Sequence, residues 1–260
     1  MPPPQVRKFL QINHVVRVLA PAIATLRARH PVVRLLDAGC GRSYLTLLLA
    51  WCARERWGHR VEVLGVDRNP AVIAECERRI ALAELGDVVR FAAASLESLD
   101  LRATWRDRFG APSDAAPQVH GVFALHACDT ATCDAIVLGC TLEAELIAVA
   151  PCCQAELGRG WTTRAGEPGA FAPIWRAPHL RHEIAAHVTD ALRGLLLRAA
   201  GYDVAALEFI APEHTKKNTL IRALRSAPDP AARAEYDALV AATGGVGLRL
   251  ADRLTASRPS

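Results

Sequence analysis

Lysine is almost missing from this chain: only Lys8, Lys216 and Lys217 stand among 31 basic residues. Positive charge is carried by arginine instead, which together with the abundance of alanine matches a GC-rich coding bias. The net charge of +4 permits a nucleic-acid partner without requiring one. Long apolar runs are missing too. None reaches the roughly 18 uninterrupted apolar residues of a membrane span, and the segment from Met1 to Lys8 has no apolar signal core. No membrane contact is expected, and the chain is placed in the cytosol. That compartment keeps thiols reduced, so the eight cysteines read as buried thiols, metal ligands or reactive groups rather than as disulfides.

What is present is an ordinary globular balance, 51% apolar and 22% charged over 260 residues. That suffices for one sizeable α/β domain with an elaboration. The spacing predicts a strand over 32–37, a glycine turn, and a helix from Tyr44 to Trp57. A second strand over Val61 to Val66 ends in Asp67, and Pro70 opens a helix to Leu85. Further strands are expected at Val88 to Ala93, Val119 to Leu125 and Leu146 to Ala150, with a helix at Thr130 to Cys140 between the last two. A Gly/Pro-rich segment from Gly158 to Pro178 reads as an active-site loop or lid. A helix over His182 to Ala200 and strands near Val204 to Ile210 and Thr219 to Leu224 follow. The chain after Ala227 reads as a helix from Pro230 to Ala242, a Gly-Gly turn and a basic tail.

Strands alternating with helices imply a parallel sheet with helices on both faces, and the closing strand pair must be antiparallel. The expected fold is α/β and Rossmann-like, a mostly parallel seven-stranded sheet with a C-terminal antiparallel strand. It is expected to form a single domain: an N-terminal helical cover over 1–30, the core over 31–226 and a C-terminal helical extension over 227–260.

The turn Asp37-Ala38-Gly39-Cys40-Gly41-Arg42-Ser43 falls where the first strand meets the first core helix, at the mouth of such a sheet. Glycine there lets backbone approach a ligand closely. Asp67 ends the second strand, where a carboxylate accepts both ribose hydroxyls of an adenosine; its alternative is a helix cap ahead of Asn69-Pro70. A glycine turn alone also serves NAD, FAD or plain close packing. This one lacks the third glycine of pyrophosphate binders and carries an aspartate just before Ala38, which favours S-adenosylmethionine. Asp37, Gly39, Cys40, Gly41, Ser43, Asp67, Arg68, Ser95 and His126 are the expected cofactor residues.

Leu125-His126-Ala127-Cys128-Asp129 and Ala150-Pro151-Cys152-Cys153-Gln154 end the fourth and fifth strands on the same edge. Several readings stand side by side. His126 is a general base or acceptor-orienting group, with Asp129 fixing its tautomer or capping the next helix. Cys128, Cys152, Cys153 and His126 are a zinc set, although an adjacent cysteine pair fits that geometry poorly, and no metal is assigned. Cys152 is a nucleophile toward a pyrimidine ring, or the thiols are inert filler, the reading taken for Cys40, Cys52, Cys76, Cys133 and Cys140. No Asn/Asp-Pro-Pro-aromatic motif ends the fourth strand, which disfavours methylation of an exocyclic base nitrogen.

On Gln11-Ile12-Asn13, Asp37 to Leu45, His126 to Thr132, Pro151 to Gln154, Thr189 to Arg193 and Glu213 to Asn218, the chain resembles bacterial S-adenosylmethionine-dependent methyltransferases of the broad methyltransferase-domain superfamily. Its histidine and double-cysteine loops are similar to those of eukaryotic tRNA 2′-O-methyltransferases of the acceptor stem, over the catalytic half only. Where those enzymes carry a histidine pair after the cysteines, Gln154-Ala155 stands here, and their zinc finger has no counterpart. The resemblance implies methyl transfer from S-adenosylmethionine to RNA, tRNA or rRNA. Catalysis is assigned to His126, Asp129, Cys152 and Gln154, and substrate contact to Glu213, His214, Lys217 and Asn218. The alternatives are a small-molecule or protein methyltransferase, or a module that binds the cofactor without turnover. No obligate protein partner is inferred.

Overall fold

A computed structural model of the chain describes residues 3–110, 118–125, 129–209 and 218–256. Seven strands form one sheet: β1 (Val33–Ala38), β2 (Val61–Asp67), β3 (Val89–Ala93), β4 (Gly121–Leu125), β5 (Leu146–Ala150), β6 (Tyr202–Glu208) and β7 (Thr219–Arg225), in the order β3-β2-β1-β4-β5-β7-β6. The first five pair in parallel, and β7 is antiparallel to both β5 and β6. Strands covered on both faces read as nearly continuous apolar runs; β5, buried at every residue, is one. The pleat divides the strand residues between two cores. Leu36, Ala38, Leu64 and Val66 face one, Val33, Leu35, Val61 and Val63 the other.

The second core is covered by α1 (Pro3–Arg29), α2 (Tyr44–Trp51) and α3 (Pro70–Leu82). Residues Phe9–Arg29 of α1 are long and apolar enough to cross a membrane, with mean hydropathy 1.3. Here Val15, Leu19, Ile23 and Leu26 bury one face of that helix in the core. A π-helical turn, Cys52–Trp57, extends α2 and completes the helix expected to Trp57.

The other core is covered by α4 (Leu101–Phe109), α5 (Thr130–Thr141), α6 (Glu156–Thr162), α7 (Ala172–Arg176), α8 (Pro178–Ala199), α9 (Ala232–Ala242) and α10 (Arg249–Ala256). Three features here correct the sequence reading. The segment 158–178, expected as a loop or lid, carries the end of α6, all of α7 and the start of α8. Pro173 and Pro178 sit at helix starts, where a missing N–H costs nothing, and Gly160 lies within α6 because a Cβ there would come within 2.5 Å of Val246. α4 has no counterpart among the expected elements, although Asp100 caps it through Ala103 N at 2.9 Å and Trp105 is fully buried. The expected basic tail folds as α10, burying Leu250 and Ala251.

At the amino edge of the sheet, His30 and His120 stack with ring centroids 3.7 Å apart. Nδ1 of His120 accepts from Arg34 N at 3.0 Å, so that nitrogen carries no proton, and Glu145 holds His30 on its far side. Burial and then the neighbouring His30 push His120 down to about 4 from 6.5. A depressed histidine adds stability that is complete above its unfolded value and is lost as pH falls through the folded one. Unfolding free energy should therefore decline between about pH 6.5 and about pH 4. His120→Gln should flatten that part of the denaturation profile; an unchanged profile would refute the assignment.

Candidate functional site

The turn after β1 is drawn onto the end of β2: Val66 O accepts from both Gly39 N (2.8 Å) and Cys40 N (2.9 Å). Gly39 has φ +75°, and a Cβ there would meet nothing within 4 Å, so the turn faces open space. Asp67 closes it from the other side. Its Oδ2 accepts from Gly41 N at 3.1 Å and its Oδ1 from Asn69 N at 2.9 Å. Asp67 is thus not the cap of α3; Asn69 is, accepting from Ala71 N at 3.0 Å. A carboxylate has about four lone-pair sites, so each oxygen of Asp67 keeps one for a ribose hydroxyl.

A cleft of about 410 Å³ opens here, with Gly39, Asp67, Arg68 and Ser95 on one side and Thr130, Ala131 and Asp134 on the first turns of α5 on the other. Four expected cofactor residues therefore share one hollow. Cys40 and Ser43 do not line it. Ser43 is buried, and its hydroxyl donates to Cys76 Sγ at 3.2 Å. Cys40 Sγ packs over Gly65, whose missing Cβ would lie 3.2 Å from it. Hydrogen bonding to Cys76 raises the Cys40 thiol, with burial acting the same way. These two side chains seat the turn on α3.

Asp37 lies beneath the turn, 2% exposed, and accepts the hydroxyl proton of Thr46 on α2. Burial pushes its carboxyl up to about 6, against the pull of the Thr46 hydroxyl. Glu97 and Asp134, which the sequence reading missed, complete the cleft wall. Asp134 stands one helical turn after Thr130, a periodicity that marks it once α5 is placed, and Arg253 of α10 pairs with it.

On the acceptor side, Asp129 ends its loop in a strained conformation, φ 48° and ψ −107°. It does not cap α5 with its side chain. Its carboxylate instead caps α6, Oδ1 accepting from Ala155 N (3.0 Å) and Glu156 N (3.1 Å), while Oδ2 accepts from Arg159 (2.7 Å). Asp129 N in turn donates to Cys153 O at 3.0 Å. Burial works to raise this carboxyl, but Arg159 and the two amides outweigh it and hold Asp129 below the usual carboxylate range.

Gln154 is buried and donates to Asp190 Oδ2 at 2.9 Å. Asp190 also pairs with Arg193 at 3.1 Å, and Arg193 reaches on to Asp129 O at 2.9 Å. The Asp190–Arg193 pair is more than a surface pair within one helix: Arg193 is 1% exposed and ties both acceptor loops to α8. Cys152 and Cys153 are half-buried, with sulfurs 3.8 Å apart. Asn218 is buried at the start of β7, its Oδ1 accepting from Phe209 N at 3.2 Å. His126, Cys128, Glu213, His214 and Lys217 lie outside the described residues.

With this geometry in place, comparison with known proteins identifies the chain. A methyltransferase-domain family profile matches residues 7–160. The chain belongs to that family and is an S-adenosylmethionine-dependent methyltransferase. Similar solved structures include an rRNA methylase from Streptococcus thermophilus, with 11% identity over 87% of this chain and 97% of that one and a TM-score of 0.44. An S-adenosylhomocysteine-bound methyltransferase from Podospora anserina has 16% identity over 78% and 76%, with a TM-score of 0.45. A comparison with curated protein sequences returns no match.

Two outcomes follow. A raised carboxyl costs the folded state stability above its folded value, a cost that fades as pH falls toward the unfolded 3.8. Asp37→Asn should therefore melt higher than the parent at pH well above about 6, with the gain gone near pH 3.8, while cofactor affinity by calorimetry drops. Arg193→Leu, which strands buried Asp190, should lose about 3–5 kcal/mol of stability in urea unfolding; a near-neutral result would show that the pair is dispensable.

Proposed function

We propose that this methyltransferase acts on RNA, tRNA or rRNA, and methylates an oxygen or nitrogen. The observation that carries the reading is the continuity of the edge: the cleft bounded by Gly39 and Asp67 runs to Thr130 and Ala131, beside the clamp that Asp129 makes to the loop after β5. Ligand and acceptor then meet at the carboxyl ends of β1, β2, β4 and β5, where α/β sheets bind their ligands. The net charge of +4 and the likeness of the His126 and Cys152-Cys153 loops to those of tRNA methyltransferases support RNA over a small molecule.

S-adenosylmethionine supplies a methyl group already activated by its sulfonium. The residues present fit its adenosyl part: Asp67 would offer acceptors to the ribose hydroxyls, with Arg68 and Ser95 lining the same cleft, and the Gly39 turn would leave room for the rest. Ionised Asp37 adds negative charge under a cationic ligand. What remains for the protein is alignment, and near-attack positioning is worth several kcal/mol. Gln154 and Cys152 shape the acceptor side. Asp129, with its oxygens occupied and its carboxyl held ionised, fixes the loop geometry. His126 is assigned as the base for a hydroxyl acceptor. The single-domain arrangement and the cytosol as its place of action belong to the same proposal.

The test is transfer of a labelled methyl group from S-adenosylmethionine to RNA, protein and metabolite fractions of a deletion strain, with Asp37→Ala as the blank. Label in RNA alone, absent with the variant, is expected. Label confined to metabolites or protein would overturn the RNA assignment, and cofactor binding without transfer to any fraction would indicate a non-catalytic module.

A further inference from the structure

Beyond the cleft, a second hollow of about 260 Å³ lies between α6 and the first turn of α8. Its polar side chains are Arg159, Thr162, Arg181 and His182, and no acidic residue lines it. We propose that this hollow seats a backbone phosphate of the RNA, next to the nucleotide that receives the methyl group; the assignment rests on the RNA reading above.

The chemistry of the lining points to a phosphate ester. Arg181 donates to Trp175 O, which fixes its guanidinium, and among the described residues no carboxylate pairs with it. A guanidinium carries five N–H donors, so donors remain for an anion. Arg159 is held by Asp129 through Nη2 alone, which aims it without using its other nitrogens. His182 is exposed and, among the described residues, makes no hydrogen bond. Gly158 contributes no side chain; a Cβ there would touch only Ala185, at 3.6 Å.

Position makes the hollow part of the acceptor site. Ala155 lies on its wall, directly after Gln154, and the N–H of Ala155 is one of the two amides bound to Asp129 Oδ1. A phosphate held here is therefore coupled through one carboxylate to the loop ending β4. Phosphate contacts fix register and orientation on a nucleic acid without reading sequence, which is the task left for a surface beside a methyl-transfer site.

Retention of labelled bulk tRNA by the full chain, over a series of potassium chloride concentrations, tests the assignment. Thr162→Glu places a carboxylate in the hollow and should weaken retention roughly tenfold or more, with melting temperature and cofactor affinity unchanged. Arg181→Gln should lower the slope of log affinity against log salt by about 0.7–0.9, the value of one phosphate contact, and Arg181→Lys should restore it. Unchanged retention and slope in both Thr162→Glu and Arg181→Gln, with the parent binding tRNA, would overturn the phosphate assignment and leave the RNA reading standing. Failure of the parent to retain tRNA at any salt would overturn the RNA reading and the hollow's role together. Nucleoside monophosphates whose binding alone responds to Thr162→Glu would reassign the hollow to a small phosphorylated ligand.

Discussion

The acceptor edge depends on one buried charge. Arg193 is 1% exposed, and its guanidinium is met by Asp190, the carbonyl of Asp129 and the sulfur of Cys133. Removing a charge from water costs several kcal/mol, which is recovered only if every partner stays in place. Arg193 therefore holds Asp129 directly, and the loop after β5 through Asp190 and Gln154. Asp129 sits at the junction in a backbone conformation that costs of order 1–3 kcal/mol. Its three carboxylate bonds and its amide bond to Cys153 O hold that conformation. One face of α8 thus contacts Asp129 and Gln154, both far from it in sequence.

The cofactor half is built differently. Its key contact is between neighbouring strands: β1 and β2 lie side by side, so Val66 O gathers two amides of the turn and Asp67 takes a third. Cys40, Ser43 and Cys76 pack the turn onto α3 and need no ligand for that role. A cleft organised by backbone N–H groups and one carboxylate tolerates many side chains nearby.

This difference decides what was legible in the sequence. The succession of strands and helices, the glycine turn and the acid that ends the second strand could be read because each depends on local pattern: apolar runs, φ-permissive glycine, an acid at a strand end. Ser43 was misread because a polar residue in a binding turn suggests a ligand contact, whereas its positive φ of 53° turns it inward. Gly158 and Gly160 suggested a loop, yet they allow α6 to pack against Ala185 and Val246. The bonds from α6 to Asp129 and from Arg193 to the Asp129 carbonyl were illegible for a plainer reason: no local pattern marks a tertiary contact between a side chain and the backbone of another segment. α10 escaped because its apolar face is short, with Leu250 and Ala251 buried against a core that only the folded chain supplies.

Charge is also separated along the edge. The cleft wall carries Asp67, Glu97 and Asp134 against one arginine, Arg68, and the hollow beyond it carries Arg159, Arg181 and His182. Asp134 is answered by Arg253 and Arg159 by Asp129, so each side keeps the sign of its unanswered residues, Asp67 and Glu97 in the cleft and Arg181 in the hollow. On the proposed function the cofactor is cationic and the acceptor polyanionic, so each meets a complementary potential and is disfavoured in the other's place. Asp129 lies between the two, its carboxylate neutralising Arg159 of the hollow while the next two residues, Thr130 and Ala131, line the cleft. Asp129 is held at that boundary by the bond from Arg193 to its carbonyl.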